Sequence, residues 1–243
     1  MKRSSLIALA TVVAAMTAGH AVAQSDDFGI WTEANVEKKV NKQLTIDGGI
    51  EMRTRDDVGK VDRWSAGVGA TYKLTEWLKA SAGYTFLYDN NEKWNDSGTK
   101  VARYWGERHR FNVGLTASYS FGNLSLSLRE RWQYTYRPEK TVDRERVSTG
   151  AIEEKTYNGK GSNKWRNRLQ LKYKLNKMWR PYANAESTVG GSGLDKMRYA
   201  LGTEIRLSKQ HWLDVKYLYQ HSYKDDDDEG NRHVIGIGYT YKF

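Results

Sequence analysis

The chain has 243 residues, with 39 Lys and Arg against 29 Asp and Glu, and a formal net charge of +10. It has no cysteine, which excludes a disulfide framework. Beyond the first 23 residues no stretch approaches the run of about 18 apolar residues that a membrane-spanning helix needs.

The opening "MKRSSLIALATVVAAMTAGHAVAQ" has Lys2 and Arg3, an apolar core from Leu6 to Met16, and Ala21-Val22-Ala23. A basic start, a short apolar region and a small-x-small site predict a signal peptide over residues 1–23, cut before Gln24. As a membrane anchor the apolar core is too short. The mature domain, residues 24–243, then holds 220 residues and a charge of +8, because Lys2 and Arg3 leave with the signal. A basic balance often marks nucleic-acid binding, but an exported chain does not meet that partner.

Two prolines, 16 tyrosines and 9 tryptophans give the mature chain a strand-rich profile. Apolar residues recur at every second position, the period of a strand. After segments starting near Phe28 and Leu44, "RWSAGVGATYK" sets Trp64, Ala66, Val68, Ala70 and Tyr72 against Arg63, Ser65, Gly67, Gly69, Thr71 and Lys73. A segment from Leu78 precedes "RFNVGLTASYSF", whose apolar set is Phe111, Val113, Leu115, Ala117, Tyr119 and Phe121. In "LSLSLRERWQYTYR" the apolar set runs from Leu124 to Tyr136, with Glu130 as a misfit. Further segments start near Trp165, Trp179, Met197, Leu213 and Arg232, making eleven. Each has the roughly ten residues that a tilted strand needs to cross a bilayer.

Short turns flanked by apolar residues, at 40–44, 74–78, 121–124, 175–179 and 207–212, alternate with longer polar connections at 89–107, 138–163, 189–195 and 224–231. That asymmetry describes a transmembrane barrel with short periplasmic turns and long extracellular loops. A soluble β-sandwich is the competing fold, but it places large aromatics anywhere along a strand. Here the Trp64 and Phe111 strands carry aromatics at their ends and small aliphatics between, as interface girdles do. The expected fold is therefore all-β: a transmembrane antiparallel up-and-down barrel. Single-chain bacterial barrels have an even number of strands, so eleven segments predict ten, with the first outside the wall, or twelve, with one strand missed.

The last strand, "GIGYTYKF", alternates Ile237, Tyr239, Tyr241 and Phe243 with small and polar residues. It resembles the C-terminal strand of outer-membrane barrels, which implies recognition by the barrel-assembly machinery. The stretches "IWTEANVEKKVNKQL", "RWSAGVGATYKL" and "LKASAGYTF" resemble an uncharacterised family of outer-membrane barrels from Gram-negative bacteria. This resemblance implies the fold and an outer-membrane location, with outer-membrane lipid and lipopolysaccharide as surroundings. It implies no activity and no site residues.

Register places Arg53, Arg63, Arg108, Arg110, Arg129, Arg131, Arg166, Arg168, Lys172, Arg198 and Arg206 on the lumen face. It also places Glu33, Glu37, Asp47, Glu51, Glu186, Glu204 and Asp214 there. Arg108, Arg110, Arg129, Arg131, Arg166 and Arg168 fall on consecutive strands and are expected to form one basic wall. Paired with the acids they would plug a narrow barrel; lining water they would favour anions. At ten to twelve strands the plugged or very narrow interior is the expectation. His109, His221 and His233 fall near the extracellular strand ends and His211 in a short turn, so a barrel hydrolase with a site at that rim is the alternative. No serine stands in a recognisable motif. "DDDDEG", Asp225 to Gly230, lacks the ligand spacing of a calcium loop and reads as solvated surface. No cofactor motif is present in the sequence, and the long loops offer contact with host surfaces, lipopolysaccharide or another membrane protein.

Overall fold

A computed structural model describes residues 26–223 and 230–243; the predicted signal peptide lies outside them. The described residues form β1 (Asp27–Lys39), β2 (Leu44–Arg55), β3 (Lys60–Lys73), β4 (Leu78–Trp94), β5 (Lys100–Phe121) and β6 (Leu124–Arg137). These are followed by β7 (Lys140–Arg146), β8 (Ile152–Tyr157), β9 (Lys160–Tyr173), β10 (Trp179–Gly190), β11 (Gly193–Arg206), β12 (His211–Ser222) and β13 (Arg232–Lys242). All but β7 and β8 pair side by side into a closed barrel of eleven strands, with β4–β5 pairing completing the circle.

The wall therefore has eleven strands, and the expectation of ten or twelve is corrected. The even-number rule assumes that first and last strands close antiparallel. Eleven up-and-down strands leave the first and last running the same way, and here β1 and β13 pair parallel, from Asp27↔Arg232 to Glu37↔Lys242. The Phe28 segment is a wall strand, and the eleven segments read from the sequence correspond to the eleven wall strands of the described residues.

The connections 89–107 and 138–163 are also more regular than expected. The β4–β5 ladder continues to Trp94↔Val101, β5 pairs with β7 at Lys100↔Arg146, and β7 pairs with β8. A four-stranded extension thus stands beyond the wall at the long-loop end. β7 and β8 carry charged residues and threonines on both faces, so no apolar alternation marks them. Contacts such as Thr141 Oγ1 to Thr156 Oγ1 at 2.8 Å hold them together instead.

Four of the five short turns share one local design. An Asn, Thr or Ser stands two or three residues beyond the last strand residue, and its side-chain oxygen accepts backbone N–H bonds from the residues two and three further on. Asn41 takes Gln43 and Leu44 at 2.8 Å each, and Asn176 takes Met178 and Trp179 at 2.8 Å each. Thr75 and Ser208 do the same in their turns. Such side chains mimic a backbone turn and stop the strand without glycine or proline. The fifth turn uses Gly122 at φ 59°.

The apolar face points outward. Ile50 and Val68 are 58% and 64% exposed to the surroundings, which water would not tolerate across a continuous belt. Trp64 and Trp165 flank this belt toward the long loops, and Trp77, Trp179, Phe121 and Phe243 flank it toward the short turns. Moving a Leu-sized side chain from water into lipid contributes about 1.5–3 kcal/mol. Glu130 does face outward, opposite Leu115 on β5 and Asn167 on β9. It stands two residues from Trp132, close to the girdle, where a carboxylate costs less than at mid-depth.

Candidate functional site

The lumen is built by the other parity of every wall strand. Toward the short-turn end it encloses a cavity of about 920 Å3, lined by twelve Lys and Arg and six Asp and Glu side chains. A smaller cavity of about 70 Å3 lies toward the long loops. Arg53, Arg110, Arg166 and Arg198 line both and so stand between them.

Arg108 and Arg110 lie on β5, Arg129 and Arg131 on β6, and Arg166 and Arg168 on β9, which are neighbours in the sheet. At the centre of this block Arg129 stands directly opposite Arg168, and Arg131 opposite Arg166. Like charges facing each other across a ladder are destabilising. One carboxylate offsets part of this. Glu186 on β10 is 4% exposed; its Oε2 accepts from Arg129 Nη2 at 2.6 Å and its Oε1 from Arg166 Nε at 3.1 Å. Arg198 Nη1 lies 3.9 Å from the same Oε1. Arg108 donates to Asp89 Oδ2 at 2.6 Å, beside the buried pair of Arg63 with Asp89.

The other expected acids pair away from this block. Glu51 takes both ends of the Arg53 guanidinium, at 2.7 and 2.9 Å. Glu33 pairs with Lys216 at 3.1 Å, Glu204 with Lys172, and Glu37 with Lys242 at 3.0 Å. Asp214 accepts the Tyr182 hydroxyl at 2.9 Å. Asp47 lines the large cavity from β2. Of the acids named from the sequence, only Glu186 pairs with the Arg129–Arg131–Arg166–Arg168 block, which leaves a charge excess facing the large cavity. Arg110, Arg131 and Arg168 have no carboxylate within ion-pair distance among the described residues.

Several lumen residues escaped the sequence reading. Asp89 is the first residue of the connection expected at 89–107, but β4 runs on to Trp94 and its alternation turns Asp89 inward, 4% exposed. Trp31 shares the parity of Glu33 and turns into the lumen. It is 5% exposed, packs with Ala200, Leu218 and Val234, and carries the Arg53 guanidinium 3.8 Å above its ring. The indole face attracts the guanidinium, and more strongly where water is excluded. Lys216, Arg180 and Tyr182 also line the large cavity.

The histidines lie on the other face of the wall. His109 Nδ1 is 2.8 Å from the Tyr84 hydroxyl, and His233 Nδ1 is 2.6 Å from that of Tyr217. His221 packs edge-on against Tyr223, and His211 bonds Tyr239 at 2.6 Å. His233 Nε2 lies 3.3 Å from Asp26. The expected neighbour of these histidines, the acidic run from Asp225, lies at residues 225–229 outside the described residues. At the C-terminus Ile237 and Tyr239 face outward, and Phe243 packs edge-on against Tyr241 with ring centres 4.6 Å apart.

Over residues 28–240 the sequence matches the family described as Protein of unknown function (DUF2490). The chain belongs to this family. Comparison with curated proteins gives no match. Among solved structures, the β domain of the Bordetella autotransporter BrkA is similar at 15% identity and TM-score 0.50, over 81% of this chain and 78% of that one. The translocator domain of the autotransporter NalP from Neisseria meningitidis is similar at 14% identity and TM-score 0.50, over 76% and 70%. The NanC porin is similar at 13% identity and TM-score 0.51, over 90% of this chain and 100% of that one. These likenesses are to the fold. A closed barrel of this kind with a continuous apolar belt is an outer-membrane protein.

Proposed function

We propose that the protein is a narrow, anion-preferring pore of the outer membrane. Arg110, Arg131 and Arg168 carry this reading: three cations on neighbouring strands face a cavity of about 920 Å3, with no carboxylate within ion-pair distance among the described residues. A plug made of ion pairs alone would neutralise its own charges, since an unpaired cation away from water is costly. Water and a mobile anion relieve that cost. Rings of arginine then favour anions, and the guanidinium stays charged at any working pH. Ion pairs around Glu186 and Asp89 narrow the path and hold its walls in place.

Purified protein in a planar lipid bilayer should conduct weakly, with a reversal potential that reports chloride preference across a potassium chloride gradient. Electrically silent protein, or preference for potassium, would overturn the proposal.

A further inference from the structure

We propose that the arginines between the two lumen cavities form a binding site for a small oxyanion group, the chemistry shared by carboxylate, sulfate and phosphate. This rests on the reading of the lumen as an anion path and names the group that path recognises.

Three observations carry it. Arg53, Arg110, Arg166 and Arg198 come from β2, β5, β9 and β11, so they converge from around the wall. Among the described residues, the small cavity they bound is lined by eight Lys or Arg side chains, by Gln133, Thr135, Ser162 and Thr188, and by no carboxylate. The acids that pair with these cations do not line it: Glu51 holds Arg53, Glu186 holds Arg166, and Asp89 holds Arg63 and Arg108. They fix the guanidinium groups without occupying the space those groups surround.

Arg110 is the open position. Its Nε donates to Thr135 Oγ1 at 3.4 Å, and no carboxylate lies within ion-pair distance among the described residues. A guanidinium has five donors in a planar fork suited to two oxygens of one anion. A volume of about 70 Å3 is on the order of two waters at about 30 Å3 each, or one oxyanion group. A larger solute would leave its remainder in the 920 Å3 chamber. The hydroxyls of Thr135, Ser162 and Thr188 add donors for further oxygens.

The test uses acetate, inorganic sulfate and inorganic phosphate as probes on the full barrel. Two readouts are taken: the thermal unfolding shift of detergent-purified protein, and block of each variant's own chloride current. Wild type should show saturable stabilisation and block by at least one probe, and comparing the three identifies the preferred anion. Arg110→Gln should weaken both effects at least tenfold. Thr135→Asp, which tethers a carboxylate beside Arg110, should abolish them. Because both variants relieve an unpaired charge, both should fold; if one fails, the other decides. Equal block and equal shifts in wild type and the folded variant would overturn the site while leaving the pore reading intact. Absence of current with a probe-dependent shift that Arg110→Gln removes would overturn the pore and keep the site. No shift and no block by any probe would overturn the site.

Discussion

Glu37 and Lys242 meet across the parallel pairing of β1 with β13, Oε2 3.0 Å from Nζ. At the other end of the same pairing Asp27 and Arg232 are 2.8 Å apart. Parallel ladders are slightly less stable per residue than antiparallel ones. This one is fastened at both ends by charges contributed by the two strands themselves. The two fastenings differ in burial, and burial decides their weight. Lys242 and Glu37 are half exposed, so their pair contributes at most about 1 kcal/mol. Arg232 is 4% exposed and also serves Asp62 at 3.2 Å.

Arg232→Ala therefore leaves two carboxylates without their shared cation. It should destabilise the barrel by about 3–5 kcal/mol, read from urea titration of protein folded into lipid vesicles. Lys242→Ala should shift the same curve far less. Equal shifts for the two would show that the seam is not held in this way.

The turn between β2 and β3 stores strain. Asp56, Asp57 and Val58 all have positive φ, and Val58 reaches 70°. A branched side chain resists that conformation at a cost of about 1–2 kcal/mol, while Val58 N–H still donates to Phe28 C=O at 3.2 Å. Val58→Gly removes the strain and keeps the bond, at an entropic cost of about 0.5–1 kcal/mol. The variant should match wild type or gain up to about 1 kcal/mol in the urea titration. A loss would contradict the strained turn.

The extension beyond the wall should depend on pH. The hydrogen bond from Lys100, and then those from Arg144, lower the Glu153 carboxyl from 4.5 to about 2. Lys100 Nζ lies 2.6 Å from it. A lowered carboxyl stabilises above its unfolded value, and that contribution disappears as pH falls from about 4.5 towards 2. Amide exchange protection in β8, corrected for intrinsic rates, should fall across that window. Glu153→Gln should lower it already at neutral pH. Protection that stays constant down to pH 2 would contradict the role of Glu153.

If the terminal strand is read during assembly, deleting Phe243 should reduce the amount of folded barrel in the outer membrane several-fold. The protein that does assemble should lose at most about 1.5–3 kcal/mol, the contribution of one large side chain meeting lipid, because Phe243 stands in the outward girdle. Heat-modifiable migration on gels measures both. Normal yield would show that Ile237, Tyr239 and Tyr241 suffice.

Most of the wall was legible because lipid enforces strict alternation on every strand. The lumen register of Arg129, Arg131, Arg166 and Arg168 followed directly from it. The strand count was not legible, because periodicity shows how many strands exist and not how the first meets the last. Only the ladder from Asp27↔Arg232 to Glu37↔Lys242 shows a parallel closure. β7 and β8 were hidden because they bury no apolar face. Asp89 and Trp31 were hidden by residue type, an acid at a strand end and an indole on the wet face. The pairing of Glu186 with Arg129 and Arg166, rather than with Arg168 opposite it in register, depends on side-chain reach and has no sequence signal.

The sign of the reversal potential in Arg131→Glu/Arg168→Glu, measured beside wild type across one potassium chloride gradient, tests the anion-preferring lumen most directly. Neither arginine has a carboxylate partner among the described residues, so the exchange reverses charge on the cavity wall without breaking an ion pair. Wild type should prefer chloride, and the double variant should move toward or into potassium preference while still folding. An unchanged reversal potential in a folded double variant would contradict the claim that this wall sets the preference.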